Sequence, residues 1–162
     1  METLISRQSL DRKGRYKEMI PQIEELLREE TDFIANLANT AATLKLALKD
    51  EASWIGFYLV KAGELVLGPF QGKPACVRIQ LGKGVCGTAA KERRTLIVPD
   101  VKKFPGHISC DPESKSEIVV PLLGKDAIVG VLDVDSLSLN SFDETDQHYL
   151  EQVGQLLMER LP

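Results

Sequence analysis

Cysteine is scarce in this chain: three residues in 162, at positions 76, 86 and 110. The number is odd and no two stand in C-x-x-C spacing, so neither a zinc cluster nor a secreted disulfide framework is expected. In a reducing compartment such thiols are either inert fillers or redox-active, and counting does not separate the two. A surplus of one charge is also missing. Lys plus Arg total 20 against 24 Asp plus Glu, a formal net charge of -4. That balance gives no electrostatic reason to expect nucleic acid or an anionic membrane as partner. No apolar run approaches the length of a membrane span, and METLISRQSLDRKGRYKE lacks the apolar centre of a signal peptide. A cytoplasmic protein is the expectation.

What is present has ordinary globular proportions, 43% apolar and 27% charged, at a length that suits one domain. YKEMIPQIEELLRE, residues 16 to 29, carries Met19, Ile20, Ile23, Leu26 and Leu27 at helical spacing, and Pro21 fits only if it lies near the first turn. A second helix is expected from Asp32 to Leu48, with Thr31 and Asp32 as capping types. The period then shortens. WIGFYLV (54 to 60) and ELVLGPF (64 to 70), joined at Ala62-Gly63, read as a hairpin, and ACVRIQL (75 to 81) as a third strand. A short helix follows from Val85 to Glu92. TLIV (95 to 98) is a strand, a long loop runs from Pro99 to Ser116, and EIVVPLL with AIVGVLDVDS forms a second hairpin about Gly124-Lys125-Asp126. The last helix is expected over 142 to 161, with Ser141 and Glu144 in capping-box spacing. Tight turns make neighbouring strands antiparallel. The expectation is an α+β fold: one domain over 16 to 162, about six antiparallel strands, terminal helices on one face and a loop-rich pocket on the other, preceded by an extension over 1 to 15.

Within that frame one cysteine stands out. FPGHISCDPESKSEIVVPL places Cys110 in a loop rich in Pro, Gly, Ser and Asp, although free cysteine is usually buried. A thiol on a mobile loop at the entrance to a strand is placed for chemistry. Asp133 and Asp135 in LDVDS are two apart in a strand and project to one face; they form either a solvated strand face or a carboxylate pair in which one member keeps its proton. Glu117 begins the adjacent strand. Trp54 and Tyr58, four apart, share a face and serve as core or as an aromatic wall. His107 reads as a turn cap after Pro105-Gly106, with a catalytic role as the less favoured alternative, and His148 as a surface residue. Gly82, Gly84 and Gly87 spell G-x-G-x-x-G, but the flanking hairpins lack the parallel βαβ unit that a dinucleotide site needs. These glycines are expected to set Cys86 at a helix start, where the dipole lowers a thiol pKa.

The segments WIGFYLV, GPFQGKPACVRI, GKGVCGTAA, DVKKFPGHISCDPESKSEIVVPL and GVLDVDS, in this order, resemble the GAF-domain free methionine-(R)-sulfoxide reductases. The resemblance implies the GAF fold, reduction of free methionine-(R)-sulfoxide, a catalytic cysteine matching Cys110, and resolving cysteines matching Cys76 and Cys86. It further implies thioredoxin as electron source and a homodimer. Glu117, Asp133 and Asp135 then become substrate ligands, suited to an ammonium group, and no metal or cofactor is required. Lys102 stands where the family often has His. A sulfoxide needs a nucleophile for sulfur and a proton for oxygen; Cys110 supplies the first, and any of the three carboxyls the second. The competing expectation is a GAF sensor that binds a small ligand such as a cyclic nucleotide, for which an acidic pocket is a poor host.

Overall fold

The computed structural model describes residues 11–161; the greater part of the expected N-terminal extension, 1 to 10, lies outside them. Two helices open the chain, α1 (Arg12–Leu27) and α2 (Phe33–Leu48). Asp32 caps α2 as expected, accepting from the Ala35 amide at 2.8 Å. α1 begins four residues earlier than periodicity indicates, because the Asp11 carboxylate accepts from the Gly14 amide at 2.7 Å. Pro21 therefore lies inside α1 rather than in its first turn. An internal proline costs a helix about 3 kcal/mol, and burial of Tyr16, Met19, Ile20, Ile23 and Leu27 along one stripe offsets it. The distant anchor of the early start is Asp146: Arg12 Nη1 and the Tyr16 hydroxyl donate to it at 3.0 and 2.8 Å.

Strands β1 (Trp54–Lys61), β2 (Glu64–Gln71) and β3 (Arg78–Gln80) are followed by α3 (Gly84–Glu92), β4 (Leu96–Val98), β5 (Ser116–Leu123), β6 (Ile128–Ser136) and α4 (Glu144–Met158). They form one six-stranded antiparallel sheet in the order β3-β2-β1-β6-β5-β4. β3 is shorter than ACVRIQL indicates: its first expected residues leave the ladder, and the Cys76 carbonyl accepts instead from the Tyr58 hydroxyl. The α4 cap also differs. Asp143 accepts from the amides of Thr145 and Asp146, while Asp146 accepts from the Asp143 amide, closing a capping box three residues wide. Ser141 is unavailable for that role because its hydroxyl bonds Ser136 Oγ at 2.7 Å.

The sheet separates two cores. Ile55, Phe57 and Leu59 of β1, Ile118, Val120 and Leu122 of β5, and Leu132 and Val134 of β6 face α1, α2 and α4. The alternate residues face α3 and the long loop: Trp54, Tyr58, Val119 and Val131 pack with Val85, Cys86, Ala89 and Ala90. This strict alternation makes each strand a divider between helical core and pocket. Among the described residues no helix is long and apolar enough to cross a membrane.

Candidate functional site

The β1, β6 and β5 register builds the pocket floor. Trp54 pairs with Asp135, which pairs with Glu117, so indole and two carboxyl groups form one cross-strand row. The next row on this face is Gly56, Asp133 and Val119. Gly56 is a requirement of the row: a Cβ there would stand 2.5 Å from the Trp54 ring and 2.4 Å from Phe70 Cβ. Its absence lets the indole lie along β1, stacked on Phe70 at 5.3 Å and beside Tyr58 at 6.0 Å between centroids. Trp54 Nε1 donates to the Lys73 carbonyl at 3.0 Å and the Tyr58 hydroxyl to the Cys76 carbonyl at 2.9 Å. Both aromatics thus wall the pocket and fasten the segment that carries Cys76.

One side of the pocket is α3, brought close because Gly87 has no side chain: a Cβ would lie 2.3 Å from the Gln80 carbonyl oxygen. The G-x-G-x-x-G pattern is therefore a tight turn, Gly82 donating to the Gly87 carbonyl at 2.7 Å. The turn delivers Cys86 to the pocket floor, its Sγ 3.8 Å from Glu117 Oε1. The expected lowering of its pKa is overturned. Burial first, then the charges of Asp133, Glu117 and Asp135, push the Cys86 thiol well above its ordinary value, and they outweigh a helix dipole worth about 1 kcal/mol. Cys86 is free and buried; Cys76 and Cys110 form a disulfide with Cα atoms 5.5 Å apart. Of the two partners left open for Cys110, this structure joins it to Cys76. The 110 loop is largely exposed, as its composition indicates, while Cys110 itself is half-buried and lines the pocket.

Glu117 and Asp133 are buried, Asp135 is half-buried, and the three carboxyl groups share their field. Glu117 and Asp133 are only 5% and 6% exposed, which rules out the solvated-face reading. Burial raises the pKa of Glu117 and Asp135 well above the carboxylate range, the Asp133 charge adding to each, and burial raises Asp133 to about 6. At neutral pH the cluster therefore holds protons, as neighbouring buried carboxyls must. Asp133 Oδ1 has no hydrogen-bond partner. Ligand atoms of Cys86, Glu117 and Asp133 lie within 4.8 Å of one another, a spacing that lets one small cationic group, such as an ammonium, be shared between the carboxylates. A buried acceptor without a donor is costly until a ligand supplies one.

His107 belongs to the site more closely than a turn cap does: Nε2 lies 3.9 Å from Glu117 Oε2, and burial lowers its pKa. Asp111, which sequence reasoning did not single out, lines the pocket beside Cys110; its signal was adjacency in FPGHISCD. Lys102 is exposed and His148 is exposed on α4. Trp54, Tyr58, Cys86, Cys110, Glu117, Asp133 and Asp135 all line one pocket, and Cys76 closes it through its disulfide.

The family model described as GAF domain matches residues 24–159. The chain is 49% identical over 138 residues to the free methionine-R-sulfoxide reductase of Escherichia coli strain K12, covering 85% of this chain and 83% of that one. It is 44% identical over 156 residues to the enzyme of the same name from Saccharomyces cerevisiae, covering 92% and 87%. The X-ray structure of free methionine-R-sulfoxide reductase from Neisseria meningitidis in complex with its substrate superposes with a TM-score of 0.93 at 48% identity, covering 99% of this chain and 95% of that one.

Proposed function

Because the chain belongs to the GAF-domain family of free methionine-R-sulfoxide reductases, we propose that it reduces free L-methionine-(R)-sulfoxide to methionine, with Cys110 as nucleophile. The observation that carries this reading is the placement of a thiol pair, Cys110 and Cys76, beside a pocket floored by three carboxyl groups, two of them buried. Asp133 and Asp135 receive the substrate ammonium, filling the place where Asp133 Oδ1 lacks a donor. Trp54 and Tyr58 enclose the methyl-sulfur end.

The reaction begins in the reduced protein. The Cys110 thiolate attacks the sulfoxide sulfur while a protonated carboxyl of the floor, Glu117 in this reading, gives its proton to the oxygen. Oxygen passes to Cys110, methionine leaves with the electron pair, and the cysteine becomes a sulfenic acid. The Cys76 thiol then displaces the hydroxyl as water and forms the disulfide, whose 5.5 Å Cα separation lies within the usual range. An external dithiol, thioredoxin in this proposal, restores both thiols by exchange. A homodimer is proposed as well, supported by Ile34 and Leu46, which stand 49% and 54% exposed on α2, a helix whose one charged residue is Lys45.

The test is a stereospecific assay with separated R and S sulfoxides of free methionine and a dithiol reductant. Cys110→Ser is expected to abolish methionine release, and Cys76→Ser to allow one turnover and block recycling. Wild-type release by Cys110→Ser overturns the reading.

A further inference from the structure

The two segments that carry Cys76 and Cys110 are joined twice, once by the disulfide and once without a covalent bond. Lys73, three residues before Cys76, reaches Asp111 and Glu113, one and three residues beyond Cys110. Its ammonium stands 3.6 Å from Asp111 Oδ2 and donates a hydrogen bond to Glu113 Oε2. The acidic side of this contact is pre-shaped: the Glu113 amide donates to Asp111 Oδ1 at 3.0 Å and the Ser114 amide to the Asp111 carbonyl at 3.2 Å. The basic side is fixed from beneath, because Trp54 holds the Lys73 carbonyl and Tyr58 the Cys76 carbonyl. The basic half is thus anchored to β1 and the acidic half is braced within its own loop, and the ion pairs and the disulfide both link the two segments. The hydrogen bond to Glu113 and the two negative charges raise the proton affinity of Lys73, so it stays cationic throughout the neutral range.

We propose that Lys73 is a positioning residue whose ion pairs with Asp111 and Glu113 keep the Cys76 and Cys110 sulfurs within bonding reach while both are reduced or one is a sulfenic acid. The inference rests on the thiol cycle of the proposed function. During that interval the step to be accelerated is Cys110–SOH plus Cys76–SH giving the disulfide plus water. The S–O bond breaks, the S–S bond forms, and the Cys76 proton leaves with the hydroxyl. A sulfenic acid that waits is open to a second oxidation by peroxide, to a sulfinic acid that dithiols do not reverse. Lys73 and Glu113 are 63% and 64% exposed, so the latch adds little to global stability. It acts on the local encounter of two loops, by about two- to five-fold in rate, the range an exposed ion pair supports.

The experiment follows ring closure directly. Reduced protein is mixed with peroxide to make the sulfenic acid, and disulfide formation is timed against trapping by dimedone, followed by mass spectrometry. Lys73→Met is expected to slow closure about two- to five-fold, Glu113→Gln less, and Lys73→Arg to restore it. Raising ionic strength from about 0.01 to about 1 M shortens the screening length from about 30 to about 3 Å; it should bring wild-type closure down to the Lys73→Met rate and leave that variant unchanged. Wild-type closure in Lys73→Met, slowing that Lys73→Arg does not repair, or slowing indifferent to salt each overturns the proposal. Peroxide replaces the sulfoxide here, so the outcomes separate: absent methionine release with normal latch-dependent closure refutes the reductase reading alone, and normal release with latch-independent closure refutes this one.

Discussion

Replacing Asp133 by Asn should make the protein more stable above pH 6 while removing a group from its site. Asp133 is buried without a partner for Oδ1, and burial lifts its pKa to about 6, against an ordinary value of about 3.9. The native state therefore binds this proton more tightly than the unfolded chain does. The associated stability is fully present below about pH 4 and is lost as pH rises through about 6. A difference of about two pH units corresponds to about 3 kcal/mol at 25 °C. For a chain of this size that is a shift in melting temperature of about 6–12 °C. Glu117 and Asp135, whose pKa values the Asp133 charge helps to raise, act in the same direction. Thermal melts of oxidised wild type and Asp133→Asn should coincide near about pH 4 and diverge by about that amount near about pH 8, the variant melting higher. Curves that stay parallel across this range would refute the claim that burial of Asp133 outweighs its hydrogen bonds with Glu117 and Cys86. Methionine release should fall in the same variant, because the carboxylate proposed to receive the ammonium has gone.

Other outcomes follow from neighbouring contacts. In the fully reduced protein, iodoacetamide should label Cys110 well ahead of Cys86, which is buried and has a raised pKa; peptide mass spectrometry reads the order, and equal labelling contradicts the placement of Cys86. Gly56→Ala should raise KM and destabilise by about 1–3 kcal/mol, the ordinary range for overpacking, since its methyl would strike Trp54 and Phe70 Cβ; a denaturation curve and saturation kinetics check both parts. Tyr16→Phe should cost about 1–3 kcal/mol through the lost bond to buried Asp146 and leave turnover unaffected, because the contact lies on the helical side of the sheet.

The residues that sequence reasoning placed correctly are those governed by local period. Alternation in LDVDS put Asp133 and Asp135 on one face, and four-residue spacing put Trp54 beside Tyr58; both hold because a strand side chain's direction depends on parity alone. What escaped depends on distant partners. Whether Cys110 meets Cys76 or Cys86 is decided by the path of residues 99 to 115, which no periodicity encodes. His107 does close its turn, its amide donating to the Phe104 carbonyl, but its nearness to Glu117, ten residues away through that same loop, has no local signal. The start of α1 depends on Asp146, at the other end of the chain. Cys86 was misjudged in sign because a helix start was weighed without the burial of the thiol and the three neighbouring acids that outweigh it.

The parity of β6 also disciplines folding. Slipping this strand by one residue against β1 and β5 would send Asp133 and Asp135 into the layer of Ile55, Phe57, Ile118 and Val120, and bring Leu132 and Val134 out toward the cavity. Each misplaced carboxylate would lie in hydrocarbon without water or counter-ion, at a cost of several kcal/mol. The acids proposed to hold substrate thus also exclude the nearest wrong sheet, and a variant carrying both Asp133→Asn and Asp135→Asn should lose fidelity of strand pairing.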